Sequence, residues 1–498
     1  MSDITLQNDF ARVSSTNLEY QRNKDTWTEL LDSYVGGVQY KNGSYLTRYQ
    51  LETAQEYQQR LTTTPLDNHC SSIVSVYTSF LFREEPDRDL KDWEMFQDVE
   101  DFLNDANLEG QSFNAFMKDV ATWSSVFGHC WCLMVKPNLG AETQGQEMAM
   151  GLRPYVNILT PLAVLEWRWA RNPNGAYELV HFKYIEEIVD QITIVKEWTK
   201  DEIRTWVMDD NAKTASLNTV EVNGLGVIPA VLAYNKRSIV KGIGVSDIAD
   251  IATLQRQIYN LHSEIEQSHR LDGHPSLVVT PDTQYGSGAG AVIVIPENSD
   301  PGLKPYVLEH GGANVQAIHA TIDKLVEAIN RISNTGGVRA TETRTLSGVA
   351  MEVEFSLLNA RLSEKADQLE LVEEQLFKLY GLYMDRTWTG EIMYPGSFNI
   401  RDTQREYQQL QMAKSAATDP RVLQVIDHEI IELLGEDADI ILPEMATLMN
   451  GETVPYDSAE PFEEPELLYD PATGEEGWVI TFADKRAKMA QGWVCKED

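Results

Sequence analysis

The chain has 498 residues, with 77 Asp+Glu against 41 Lys+Arg and a formal net charge of −36. Its 42% apolar, 9% aromatic and 24% charged residues are those of a globular protein and exclude wholesale disorder, collagen and a coiled-coil rod. So acidic a chain does not grip nucleic acid through a broad basic face, because that mode neutralises phosphates with Lys and Arg; DNA can still pass it. At about 150 residues per domain the length suggests about three units. The opening MSDITLQNDF has no basic n-region and no apolar core, and the longest apolar runs, such as 227–234, fall far short of the ~20 residues of a membrane span. No secretory signal and no membrane contact are expected. Four cysteines form no disulfide framework, which fits synthesis in a reducing cytoplasm.

In chain order, amphipathic stretches predict helices over 18–34, 53–61, 71–82, 93–103 and 112–126, broken by Gly36-Gly37, Pro65 and Pro86. From His129 the period becomes two. Strands are predicted at 129–135, 155–159, 179–184, 191–198, 203–208 and 227–234, so the first half is an α+β body. Ser246 or Asp247 can then cap a helix over 246–270 with one apolar stripe, Ile248, Ile251, Leu254, Ile258, Leu261 and Ile265. Three strand-like pieces follow at 276–280, 291–295 and 304–310, among Gly/Ser/Pro/Asn-rich turns. A second helix over 314–333 carries Val315, Ile318, Ile322, Leu325, Ile329 and Ile332 at a/d spacing. Two helices of about 30 to 37 Å thus bracket a β-rich insertion. The polar loop 334–346, with Arg339 and Arg344, leads to a long helix over 347–384 whose face holds Phe355, Leu358, Leu362, Ala366, Leu369, Val372, Leu376, Leu379 and Tyr383. Helices are expected at 404–417 and 420–434. The stretch 431–480 has fourteen acidic residues and no Lys or Arg, and is expected to be solvated and partly extended.

No chemical motif rises above chance. His129-Cys130-Trp131-Cys132, with His69-Cys70 upstream, invites a zinc reading, but neighbours one apart in a strand face opposite ways, so a core strand is preferred. Gly286–Gly290 lacks the Gly-Lys-Ser/Thr ending of a phosphate loop, and Gly242-Ile243-Gly244 reads as a turn before a helix. Acidic pairs such as Asp437/Asp439 and Glu463/Glu464 read as solvated faces among 77 carboxylates. No nucleophile–base constellation can be located, so no catalytic residue, metal or cofactor is assigned.

The order of elements is more specific. A body leads through VIPAVLAYN (from 227, preceded by Gly224 and Gly226) and GVSDIADIATLQRQIYNLHSEIEQ (244–267) into a helix, a β insertion and a returning helix; LSGVAMEVEFSLLNARLSEKADQLE (346–370) then opens a long helix. This series resembles the portal proteins, or head-to-tail connectors, of tailed bacteriophages, over about 34–383. The resemblance implies a portal-like α+β fold: wing 1–245, stem helices 246–270 and 314–333, clip 271–313, tunnel loop 334–346, wing long helix and return 347–399, and a helical crown with an acidic C-terminal segment over 400–498. It implies a ring of about twelve subunits at a capsid vertex of the virion. Double-stranded DNA passes through it without sequence specificity during packaging and ejection, and terminase large subunit, adaptor or tail proteins and major capsid protein dock on it. It implies DNA contacts from the tunnel loop, Arg339, Thr341, Thr343 and Arg344, with acidic walls elsewhere repelling phosphate. The stem seam, Ile251, Leu254, Ile258, Leu261, Ile318, Ile322, Leu325 and Ile329, is expected to be shared with the partner helix and the neighbouring subunit, so that an isolated subunit would expose it. Two other readings stay open: a capsid-associated scaffold or adaptor, and a metal-dependent nuclease built on the acidic clusters.

Overall fold

The structure is a computed structural model. It describes residues 9–137, 146, 150–273, 313–339, 348–396 and 398, with short pieces at 276–278, 284–285, 293–294, 306–308, 410–415, 422–423, 425–426, 430, 461–469, 476–481 and 494–495. Two units are distinguished, Met1–Asn399 and Ile400–Asp498.

In the first unit the helices start where polar caps take up free backbone N–H groups. The N–H of Tyr20 donates to Asn17 at the start of α1 (Leu18–Val35), which ends at Gly36 with φ +67°. After α2 (Gly37–Asn42), Thr53 and Glu56 form a reciprocal capping box on α3 (Ala54–Thr63), and Asn68 caps α4 (His69–Leu81). The helix expected over 93–103 divides: a 3-10 turn, Lys91–Met95, is followed by extended Phe96 and then α5 (Gln97–Asn104). Ser112 caps α6 (Phe113–Phe127), and Gly128, at φ +88°, ends it in the left-handed conformation that favours glycine.

Strand β1 (Asp87–Asp89) lies before α5, and β2 (His129–Val135) follows α6 directly. β2 is the centre of an antiparallel sheet between β3 (Tyr155–Leu159) and a later strand, β9 (Ala230–Tyr234). Between those two runs a five-stranded antiparallel meander of β4 (Val164–Arg171), β5 (Tyr177–Val189), β6 (Ile192–Thr199), β7 (Glu202–Asp209) and β8 (Thr214–Val222). β4 and β8 were not expected. β8 is an edge strand exposed along nearly its whole length, so its residues show no buried alternation to read. Trp131 of β2 joins the sheets: fully buried, its ring lies 4.9 Å from Phe182 and 6.1 Å from Trp169.

Two long helices follow, α7 (Ala249–Gly273) and α8 (Ala313–Ser333). They pack on each other, and α7 also packs on α1, α3 and α4. Between them β10 (Ser276–Val278) pairs with β13 (Tyr306–Leu308), and β11 (Gln284–Tyr285) with β12 (Ile293–Val294). A short helix, α9 (Gly336–Arg339), precedes α10 (Gly348–Met384), whose 37 residues extend about 56 Å. Its face Leu358, Leu362, Ala366, Leu369, Val372 and Leu376 is buried, at the expected spacing. β14 (Glu391–Met393) returns to pair with β1.

In the second unit, 410–415 is helical inside the segment predicted to be so. The acidic stretch differs from expectation: β15 (Pro461–Tyr469) and β16 (Glu476–Thr481) form an antiparallel pair, with β17 (Val494–Cys495) on the free edge of β15. Apolar residues Phe462, Leu467, Leu468, Trp478, Val479 and Ile480 are dense enough here to form a sheet despite the surrounding carboxylates. Residues 431–460, with Asp437 and Asp439, lie outside the described residues.

Candidate functional site

The paired helices α7 and α8 carry the seam assigned from sequence, and the single chain covers much of it. Ile251, Ile258 and Ile329 are fully buried and Ile322 is buried, while Leu254, Leu261, Ile318 and Leu325 are half-buried against the same core. The stripe is therefore not left open on an isolated subunit: α1, α3 and α4 close over the α7 half of it. Around α7 a polar frame fixes the approach. Arg60 of α3, 1% exposed, donates from Nε to Glu52 (2.8 Å) and from Nη1 to Ser263 of α7 (3.0 Å), beneath the Tyr49 ring. Its guanidinium holds the Glu52 carboxyl below the usual range. Gln255, fully buried on α7, accepts from the Cys70 N–H and donates to the Ser33 carbonyl.

Arg339 stands at the end of α9 and is half-buried. Its Nη1 donates to Asn330 Oδ1 (3.1 Å) and its Nη2 to His69 Nδ1 (2.9 Å), so this arginine ties α9 to α8 and to the start of α4. Burial pulls its pKa down. Thr341, Thr343 and Arg344 lie outside the described residues.

A charged cluster not assigned from the sequence lies where α7, α8 and α10 meet. Asp247, read only as a candidate cap, is buried; Ser246 fixes the turn before the helix, its Oγ accepting the Ile248 N–H at 3.1 Å and donating to the Val126 carbonyl at 2.6 Å. The Asp247 carboxylate receives Arg361 Nη2 at 3.0 Å and bonds to Lys365, both from α10. Arg361 also donates to the Ile332 carbonyl at the end of α8 (3.0 Å). Lys365 donates in addition to Ser125 of α6 (2.9 Å) and to Asn235 just after β9. Burial pushes the Asp247 carboxyl up, but Lys365 and Arg361 outweigh it and hold the group low; burial lowers Lys365 against the pull of Asp247. A cleft of about 410 Å³ opens over the cluster, lined by Asn235, Lys236, Asn334, Ala360 and Glu364 as well. The cluster pins the base of the helix pair, where α7 begins and α8 ends, to the long helix and the body. It joins the two segments that carried the resemblance, SDI at 246 and NARLSEKA at 359. A signal existed: Arg361 and Lys365, four apart, border the apolar face of α10.

The cysteine–histidine segment is core. Cys70, Cys130 and Cys132 are buried free thiols, and His129 is fully buried with its Nδ1 accepting the Gly244 N–H at 3.3 Å. Among the described residues no three His, Cys, Asp or Glu side chains gather as a metal-binding set, and no helix is long and apolar enough to cross a membrane.

Helix pair, β-bearing insertion and long helix follow one another in the order of the resemblance, and a family model for the phage portal protein, SPP1 Gp6-like, matches residues 19–406. The chain belongs to that family. Its role is that of a portal, the connector at a capsid vertex, which makes it a virion component. No curated protein matches the chain significantly. Among solved structures it is similar to a chain in the neck of an empty GTA particle computed with C6 symmetry, at 11% identity and a TM-score of 0.44, covering 79% of this chain and 99% of that one. A chain in the virion of the native gene transfer agent (GTA) particle is 11% identical with a TM-score of 0.43, covering 80% and 98%. One in the neck of the native GTA particle computed with C12 symmetry is 12% identical with a TM-score of 0.40, again covering 80% and 98%.

Proposed function

We propose that this portal protein assembles as a closed ring of about twelve copies through which double-stranded DNA moves during packaging and ejection. In this reading α7 and α8 are the stem, residues 271–313 the clip, 334–346 the tunnel loop, 1–245 and 347–399 the wing, and 400–498 the crown and acidic tail. Terminase large subunit, adaptor or tail proteins and major capsid protein dock on the ring, and the chain is made in the bacterial cytoplasm. The observation that carries the reading is the helix pair held at its base by the Asp247–Arg361–Lys365 cluster, within a chain of the portal family. A conduit needs a stalk whose base does not tilt as DNA moves, and an ionic cluster around the buried Asp247 and Lys365 supplies one. The net charge of −36 suits a lumen on which DNA slides, with Arg339, Thr341, Thr343 and Arg344 proposed for brief phosphate contacts. Subunit contacts are then expected on exposed faces rather than on the buried seam. No catalytic role is assigned.

Negative-stain images of the purified chain should show annular particles with a central hole; filled or open assemblies would favour a scaffold or adaptor. Incubation with DNA and Mg²⁺ should leave the DNA intact, and cleavage abolished by EDTA would revive the nuclease. Arg344→Glu should leave rings intact and reduce packaged DNA; Arg339→Glu is the poorer probe, because it also breaks the bonds to His69 and Asn330.

A further inference from the structure

Strand β5 has opposite chemistry at its two ends. At its start Tyr177 is exposed, paired in register with Arg171 of β4. Lys241 Nζ lies 3.3 Å from the Tyr177 ring centroid and 4.3 Å from that of Trp169, and the Arg171 guanidinium lies 4.7 Å from Tyr177. Lys241 belongs to the loop between β9 and α7, whose tip, Ile239, is 103% exposed. That loop is built rather than slack. Ser238 Oγ donates to the Ile243 carbonyl (2.8 Å), Gly242 N–H to the Tyr234 hydroxyl (3.0 Å) and Val245 N–H to the Lys236 carbonyl (2.8 Å). Among the described residues Arg171, Arg237 and Lys241 have no ion-pair partner, whereas their neighbours Arg168 and Lys236 face Glu166 and Glu364. A rigid apolar tip with three unmatched cations thus stands on a chain of charge −36.

At the far end of β5 the sign is reversed. The hairpin into β6 turns at Asp190 (φ +53°) and leaves Ile188, Val189 and Ile192 exposed among Glu187, Asp190 and Asp210. Asp210 sits beside them because its N–H donates to the Gln191 carbonyl at 3.1 Å. Glu186 is already matched by Lys196 at 2.6 Å, and Lys213 of the next turn lies over the Phe10 ring at 5.3 Å. Twelve residues of strand separate Tyr177 from Val189, about 40 Å, so the two patches cannot meet within one chain.

We infer that the two patches dock on each other between neighbouring copies: the Ile239 tip and its cations on one subunit seat against the Ile188–Ile192 hairpin end of the next. A contact between different patches of identical chains is heterologous and propagates head to tail, the arrangement that closes rings. It also answers the electrostatic problem of packing highly acidic copies side by side, by placing the unmatched cations where the neighbour presents carboxylates. The inference rests on the ring proposed above and assigns its contact.

The test uses the full chain in sedimentation velocity and negative stain. Wild type should form rings, while Arg171→Glu/Lys241→Glu, or Glu187→Lys/Asp190→Lys, should each raise the concentration for half-assembly by about tenfold or more. The chain carrying all four changes should return to near the wild-type concentration. Ile239→Asp, at a solvent-filled loop tip, should weaken assembly with the melting temperature unchanged. Rings that form equally well in the two charge-reversed chains, or a failure of the combined chain to recover, would overturn the inference and leave the portal ring standing. A wild-type chain that forms no ring would remove both.

Discussion

Gly244 has no room for a side chain: a Cβ there would lie 1.8 Å from the Gly128 carbonyl oxygen, which is backbone and cannot rotate away. Gly244→Ala should therefore cost about 3 kcal/mol or more in urea unfolding, at the upper end for overpacking. The same backbone bonds His129, whose Nδ1 accepts from Gly244, so the ring is neutral with its proton on Nε2. Burial pulls its pKa down to about 3, while the unfolded chain takes up a proton near the ordinary value of 6.5. The folded pKa is the depressed one, so this contribution to stability is complete above about pH 6.5 and is lost as pH falls towards 3, at about 1.4 kcal/mol per unit. Denaturant melts between pH 6.5 and 5, above the main carboxylate range, should show that slope, and His129→Asn should flatten it. The sequence marked His129 correctly as a core-strand residue, because the short unbroken apolar run from Cys130 to Val135 is a local pattern. Its partnership with Gly244 spans 115 positions of chain and has no local trace.

Among the elements, legibility followed burial and capping. The helices α1, α3, α4 and α6 begin within a few residues of their expected starts, because Asn17, Thr53, Asn68 and Ser112 are chemical start signals as well as sequence letters. The paired helices and α10 were legible for another reason, a long unbroken apolar period. Exposed β8 was not, since its neighbours on one side are solvent. Of the apolar seam, Ile251, Ile258, Ile322 and Ile329 are covered within the single chain: amphipathicity says that a face is buried, and only the fold says by what. Replacing Ile322 by Asp would therefore put an unpaired charge inside the chain and report on folding rather than on ring contacts. The ionic cluster on α10 offers a sharper measurement. Lys365→Met leaves the Asp247 carboxylate buried with Arg361 alone, and should cost about 3 to 5 kcal/mol by chemical denaturation. Adding Asp247→Asn should recover part of that loss, and a double-variant loss equal to the sum of the Lys365→Met and Asp247→Asn losses would show that the pair is not coupled.

For the molecule as a whole, charge is the property with the widest reach. If copies of charge −36 meet through a few matched patches, assembly balances long-range repulsion against short-range attraction. Salt screens the first over about 8 Å at physiological ionic strength. Ring yield should thus rise from very low to moderate salt and fall again above about 0.5 M, as the patch contacts are screened in turn; light scattering across a salt series would record that maximum, and a yield indifferent to salt would argue against a charge-matched contact. The sequence by itself determined the mixed helix and strand content, the order of the elements and the length of the helix pair, because periodicity, caps and composition act over neighbouring residues; the family came from the resemblance of particular segments and the family model that matches residues 19–406. The tertiary structure alone decided which surfaces remain open, that Asp247 meets Arg361 and Lys365, and that a cationic loop and an acidic hairpin end stand at opposite ends of one strand. Those facts depend on distances through space between residues far apart in the chain, and no local pattern encodes them.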